Sequence, residues 1–371
     1  MWSRCDPRDS IVSRDFDDVS AMRMNAVLLG LSTLAFVVIG ATTTAADPVS
    51  ASTGRTPSRE IAVGRLGESF SSIWLVTLDG RQERRLSGRL DSCCVAWAPD
   101  GRTLAFSAGT AGVFLIGADG SRLRNVIKGR LVFPVVWSPD GRRIFLSSSE
   151  DDDWDIYSVN RDGSGMRNLT PHKGEPRVDD GEDGEFALSP DGKRIAFIRK
   201  PAIGRVPLEI WVMDANGSNK RNVTRTAKSG EFLPSWSPDG RRIAFVMSSN
   251  GHQAIYAINP NGTGRRRISP ASAFPGFEWV TSYAWLPDGQ SIVFGRVRRL
   301  VIDEVLSVTS DGRKQERLAS GSWPTLSPDG SMIAYEHQYA TADGESEVWT
   351  MNSDGSGQRR LTVGSDPVWR P

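Results

Sequence analysis

The sequence predicts an all-β fold, a single β-propeller of four-stranded antiparallel blades. Three observations predict it. A Pro-Asp-Gly box recurs six times, an Asp-Gly or Asn-Gly turn recurs seven times, and the chain ends on a strand that fits the gap in the first repeat.

The first box stands at Pro99, Pro139, Pro190, Pro238, Pro287 and Pro328. Trp lies two residues before the Pro in four copies (Trp97, Trp137, Trp236, Trp285), and Leu188 and Leu326 fill that slot in the others. Proline presets φ at the corner and Asp-Gly closes it, so each box is a tight turn. A short apolar run follows, such as Ile243-Ala244-Phe245, and reads as a strand.

The next strand pairs an apolar with an aromatic residue: Ile73-Trp74, Val113-Phe114, Ile156-Tyr157, Ile210-Trp211, Ile255-Tyr256, Val348-Trp349 and the aliphatic Val305-Leu306. A second turn follows at Asp79, Asp119, Asp162, Asn216, Asn261, Asp311 and Asp354, each before Gly, which supplies the positive φ of a hairpin. A last strand of the Arg-x-Leu-Thr kind completes the unit, as at Arg359–Thr362.

Pro-to-Pro intervals of 40, 51, 48, 49 and 41 residues are those of a four-stranded propeller blade. The first unit, from Ile61, lacks a Trp-x-Pro strand, and the last residues, Val368-Trp369-Arg370-Pro371, are one with nothing after it. The C-terminal strand is expected to close the ring and leave no open edge. Seven turns give seven blades; six is the alternative if one repeat forms no blade.

Trp236-Ser-Pro-Asp-Gly-Arg-Arg-Ile-Ala-Phe245, then Ile255-Tyr256, Asn261-Gly262 and Arg-Arg-Ile-Ser resemble the repeats of TolB-like propellers, WD-repeat-like in layout, over roughly residues 60–371. The resemblance implies an envelope-associated role of the Tol–Pal kind. The sequence departs from that family's pattern in two ways. Residues 47–58 leave no room for an α/β domain before the propeller, and seven turns stand where six blades are usual.

Composition narrows the function. Lys and Arg total 45 and Asp and Glu 44, so the net charge of +1 lacks the basic excess of a general nucleic-acid binder. Charged residues at 24% and hydrophobic residues at 39% fit neither a disordered chain nor a multi-span membrane protein.

Arg23, the apolar run Ala26–Gly40 and the small residues through Thr44-Ala45-Ala46 have the layout of a secretory signal cleaved after Ala46. The run is short for a membrane span, and an uncleaved N-terminal anchor is the alternative. The expected organisation is an extension over 1–21, untranslated if synthesis starts at Met22 or Met24; a signal over 22–46; a linker over 47–58; and the propeller over 59–371. The mature protein is then periplasmic or secreted, with no membrane span. Cys93 and Cys94 are adjacent, a spacing that rarely satisfies disulfide geometry.

In a meander both turn types lie on one face of the ring. The loops inside and between blades lie on the other, where they are longer and less regular and carry function more often. On that face Asp151, Asp152, Asp153 and Asp155 of blade three adjoin Asp179, Asp180, Glu182, Asp183 and Glu185 of the next loop. Such a cluster reads as a solvated rim or as a dock for a basic partner. Calcium is the one metal it would admit, although the spacing lacks an EF-hand pattern. Arg296, Arg298 and Arg299 of blade six and His337 of blade seven add a basic side, so that a peptide-like or zwitterionic ligand could bind across the mouth.

No Gly-x-Ser-x-Gly elbow and no His-Glu-x-x-His occur, and three scattered His make a zinc enzyme improbable. Gly163-Ser-Gly165 and its copies lack the third Gly of a nucleotide-binding loop. No catalytic residues, resident cofactor or metal ligands are therefore expected. The expected function is that of a monomeric, non-enzymatic propeller binding a protein, peptide or glycan. The alternative is a secreted enzyme, a carboxylate-based glycan lyase or hydrolase.

Overall fold

The computed structural model describes residues 59–66, 71–88, 92–129, 132–150, 153–171, 184–199, 207–226, 229–249, 252–269, 278–298, 302–337 and 346–371. These form seven four-stranded antiparallel blades. Blade one is closed as expected. Ser365–Trp369 pairs with Glu60–Leu66, with Ile61 opposite Trp369, and Ser71–Thr77 and Glu83–Arg85 complete the sheet. Blades two to seven begin at the inner strands Cys93–Trp97, Val132–Trp137, Phe186–Leu188, Gly230–Trp236, Glu278–Trp285 and Ser322–Leu326. Blades five and six are joined by one parallel pair, His252 with Glu278.

The core is divided among the seams. One apolar cluster lies between each pair of neighbours, for example Ile210, Val212 and Val223 of blade four against Trp236, Ile243 and Phe245 of blade five. The predicted boxes build these seams. Trp236 donates its indole N–H to Ala187 O of the preceding blade at 3.1 Å, as Trp137 does to Ala96 O and Trp369 to Thr325 O. Arg194 covers the Trp236 ring at 4.6 Å, and Arg242 covers Trp285 at 4.9 Å.

The Pro-Asp-Gly turn is braced from within. Ser237 Oγ donates to Asp239 Oδ1 at 2.6 Å, and Arg241 N–H donates to the same oxygen. At Gly192 φ is +68°, and a Cβ there would stand 2.9 Å from Cδ of Pro139, so the turn of one blade leans on the proline of the last. A side chain at this position would meet both the dihedral and the contact.

The outer strand carries a second repeated brace. Ser87, Thr170, Thr224 and Ser269 each accept the backbone N–H of the apolar residue in the preceding box: Ile73, Ile156, Ile210 and Ile255.

Candidate functional site at the irregular-loop end of the ring

Inner strands start at the irregular-loop face and end at the turn face, and they pack on one another around the axis. Near their start several are bulged, with the residue three before the Trp/Leu slot in left-handed backbone: Cys94 (φ 55°), Leu233 (53°), Trp323 (53°) and Asp366 (53°). A bulge releases its N–H from the ladder, and a side chain of the preceding blade accepts it. Glu185 Oε2 accepts from Leu233 at 2.6 Å, Thr281 Oγ1 from Trp323 at 3.2 Å, and Glu336 Oε1 from Asp366 at 2.7 Å. The Tyr283 hydroxyl donates to Leu233 O. A belt of such contacts ties the blades together at this end.

The belt holds carboxyls in unusual surroundings. Glu336, at the end of Met332–His337, is 2% exposed and faces Asp366 across the seam of blades seven and one. Burial, and next the charge of Asp366, hold its carboxyl well above the usual range. Burial pushes Asp366 up to about 6, although Ser365 donates to it. Glu231, fully buried between blades four and five, is also raised by burial, despite donors from Ile210 N–H and Thr226 Oγ1. Asp303, facing Ser322 and His337, is raised by burial. Tyr283 is fully buried, and burial with the nearby Glu185 raises its phenol.

Raised carboxyls concentrated at one end of a scaffold are a physical marker of a functional site. Protonated they donate hydrogen bonds, and ionised they present charge to a cation from a low-dielectric wall.

The sequence-predicted residues fall into three groups. Glu185 belongs to the belt, and its neighbour Gly184 accepts from Ser147 Oγ at 2.6 Å, which brings the end of the second acidic segment against blade three. Asp155 is 8% exposed and braces its own blade, accepting from Asn168 Nδ2 at 2.6 Å and Thr170 Oγ1 at 2.9 Å. It fills a repeated position, since Glu209 takes Asn222 and Glu347 takes Arg360 in the same way. Arg296 is paired with Glu304 at 2.9 Å, and Glu304 is shared with Arg317 at 3.2 Å.

His337 packs against Trp349 with ring centroids 5.7 Å apart and planes tilted by 40°, and with Arg317, Tyr335 and Gln358 it lines a cleft of about 290 Å³ between blades six and seven. The side chains of Asp153 and Arg298 lie outside the described residues, as do Asp151, Asp152, Asp179, Asp180, Glu182, Asp183 and Arg299. Among the described residues no three His, Cys, Asp or Glu are grouped to hold a metal ion. Glu231, Asp303, Glu336, Asp366 and Tyr283 escaped the sequence reading. Their signal was a carboxylate near the irregular-loop end of a strand, as Glu336 in Met332-Ile-Ala-Tyr-Glu-His337, or a Tyr within one, as Tyr283.

Comparison with known proteins places the fold. Residues 177–371 match the TolB beta propeller domain family. Dipeptidyl-peptidase 5 of Porphyromonas endodontalis is 31% identical over 117 residues, 30% of this chain and 16% of that enzyme. The protein TolB homolog of Chlorobium luteolum is 30% identical over 145 residues, 39% of this chain and 29% of that protein. The shared stretch is under a third of either relative's length. The crystal structure of TolB from Acinetobacter baumannii superposes with a TM-score of 0.52 at 17% identity, covering 84% of this chain and 82% of that one, a likeness of fold alone.

Proposed function

Because the chain belongs to the TolB β-propeller family, we propose that it is an extracytoplasmic binding propeller. In this reading it takes a basic segment of a protein or peptide at the irregular-loop mouth of its ring, in an envelope-associated role. The observation that carries this reading is the set of raised carboxyls at one end of the blades: Glu231, Asp303, Glu336 and Asp366. The acidic segments around Asp151–Asp153 and Asp179–Asp183 extend the same sign outward in sequence. A cationic ligand is drawn to such a mouth by long-range charge, to which the buried carboxyls add as they ionise. The charged, apolar and small-residue order of Arg23 to Ala46 supports export.

Titration with a deca-lysine peptide tests the reading. Asp179→Asn/Asp180→Asn/Asp183→Asn should weaken binding at least tenfold at low salt. Equal affinity of variant and parent removes the acidic mouth as the binding face.

A further inference from the structure

The opposite, turn-bearing face has a charge asymmetry that ligand binding at the mouth does not use. In five blades the hairpin turn is opened by Asp79, Asp119, Asp162, Asp311 or Asp354. In blades four and five the position holds Asn216 and Asn261, which keep the turn contacts without the charge. Ser218 N–H donates to Asn216 at 2.9 Å, and Thr263 N–H to Asn261 at 3.0 Å. Blade five then runs Arg265-Arg266-Arg267, all exposed, beside the exposed Arg241 of its other turn.

Two contacts join these groups into one arc. Arg221 of blade four reaches over the seam and donates to Pro260 O of blade five at 3.1 Å. Arg242 lies close enough to Arg266 that, after burial, the charge of Arg266 is the next cause holding its guanidinium below the usual range. Among the described residues Arg221, Arg241, Arg265 and Arg266 form no ion pair. Elsewhere on the same face three cations are paired, Arg59 with Asp329 at 2.5 Å, Arg161 with Asp100 at 3.0 Å and Lys314 with Glu316 at 2.7 Å, and arginines with no ion pair among the described residues, such as Arg102 and Arg122, stand beside turns that keep their Asp, Asp100 and Asp119.

We infer that the turn face of blades four and five docks on an anionic phospholipid surface. The guanidinium groups stand on short, internally braced turns at the rim of one face of a ring, an arrangement suited to an extended, flat anion. Guanidinium forks pair with phosphate oxygens, and clustered Arg next to anionic headgroups gain from the surface potential. That the mouth then faces away from the membrane rests on the binding reading above; the docking itself does not.

The test is co-sedimentation of the full chain with vesicles of 30 mol% phosphatidylglycerol in phosphatidylcholine, against phosphatidylcholine alone. The parent should partition at least tenfold more strongly to the anionic vesicles, with loss at raised salt. Arg221→Gln/Arg241→Gln/Arg265→Gln/Arg266→Gln should abolish that preference. Arg81→Gln/Arg102→Gln/Arg122→Gln/Arg313→Gln, with the same change in net charge elsewhere on this face, should retain it. The apolar run Ala26–Gly40 is common to all three proteins and cancels. Equal behaviour of the two variants, or no preference for anionic vesicles, overturns the proposal. So does a parent that ignores vesicles yet binds polyglutamate through the same arginines, which would make the partner an acidic protein. Unchanged deca-lysine binding by the arc variant keeps this outcome separate from the fate of the mouth.

Discussion

The two faces of the ring use the same acidic residue types in opposite ways. On the turn face Asp119, Asp140, Asp162 and Asp354 lie below the usual carboxylate range, foremost because a Ser hydroxyl beside each donates to it, and then because a backbone N–H does. At the irregular-loop end Glu231, Asp303, Glu336 and Asp366 lie above it because burial outweighs the donors they have. The first set is spent on building turns. The second is costly to bury, which makes that end the candidate functional site.

The seams hold both faces in place, so the largest effect comes from breaking one. Trp236→Ala removes the ring under Arg194, the N–H to Ala187 O and the cluster of blades four and five. It should cost about 3–5 kcal/mol in urea unfolding. A loss under about 1 kcal/mol would mean that the blades are not held by these anchors.

The next effect sharpens the contrast directly. Carboxyls raised in the folded state stabilise it below their unfolded-state pKa, and that stability is lost as pH rises through the folded value. For Asp366 that value is about 6, and Glu336 is raised with it. The melting temperature should therefore fall between pH 5 and pH 7.5. Glu336→Gln, which keeps an oxygen for the Asp366 N–H, should remove the share of the fall that belongs to Glu336 and leave the share of Asp366, which burial raises. At pH 7.5 it should be more stable than the parent. An unchanged slope would sink the assignment.

The smallest effect belongs to the turn face. Asp140 accepts from Ser138 Oγ at 2.6 Å and Arg142 N–H at 3.0 Å. Asp140→Ala should cost about 1 kcal/mol by chemical denaturation. Asp140→Asn should cost almost nothing, since an amide oxygen can accept both donors, as Asn216 and Asn261 accept a backbone N–H and a hydroxyl in the hairpin turns. A large penalty for Asn would show that the charge, and not the turn geometry, is what the position needs.

The blades were legible because turn chemistry is local. Pro139-Asp-Gly141 and Asp162-Gly163 specify their corners within a few residues, and Trp369-Arg-Pro371 announced the closure. The belt was not legible because it is made between blades. Glu336 meets Asp366 over a separation of 30 residues, and Tyr283 meets Leu233 over 50. Asp155 shows the converse error of scale. In sequence it closes an acidic run, whereas in the fold it occupies a repeated bracing position shared with Glu209 and Glu347. Arg296 likewise reads as a free cation in sequence and lies beside Glu304 in the sheet, where the two are register partners.

The pH dependence of deca-lysine affinity tests the central claim most directly. The turn-face aspartates are already ionised across pH 5–7.5, so a ligand held there would bind equally throughout. A ligand held at the mouth should bind at least fivefold more tightly at pH 7.5 than at pH 5, as Asp366 and its neighbours ionise. Asp303→Asn/Glu336→Gln/Asp366→Asn should flatten that profile and so separate it from histidine titration. A flat profile in the parent, or an unchanged one in the variant, would contradict the assignment of the irregular-loop end as the binding face.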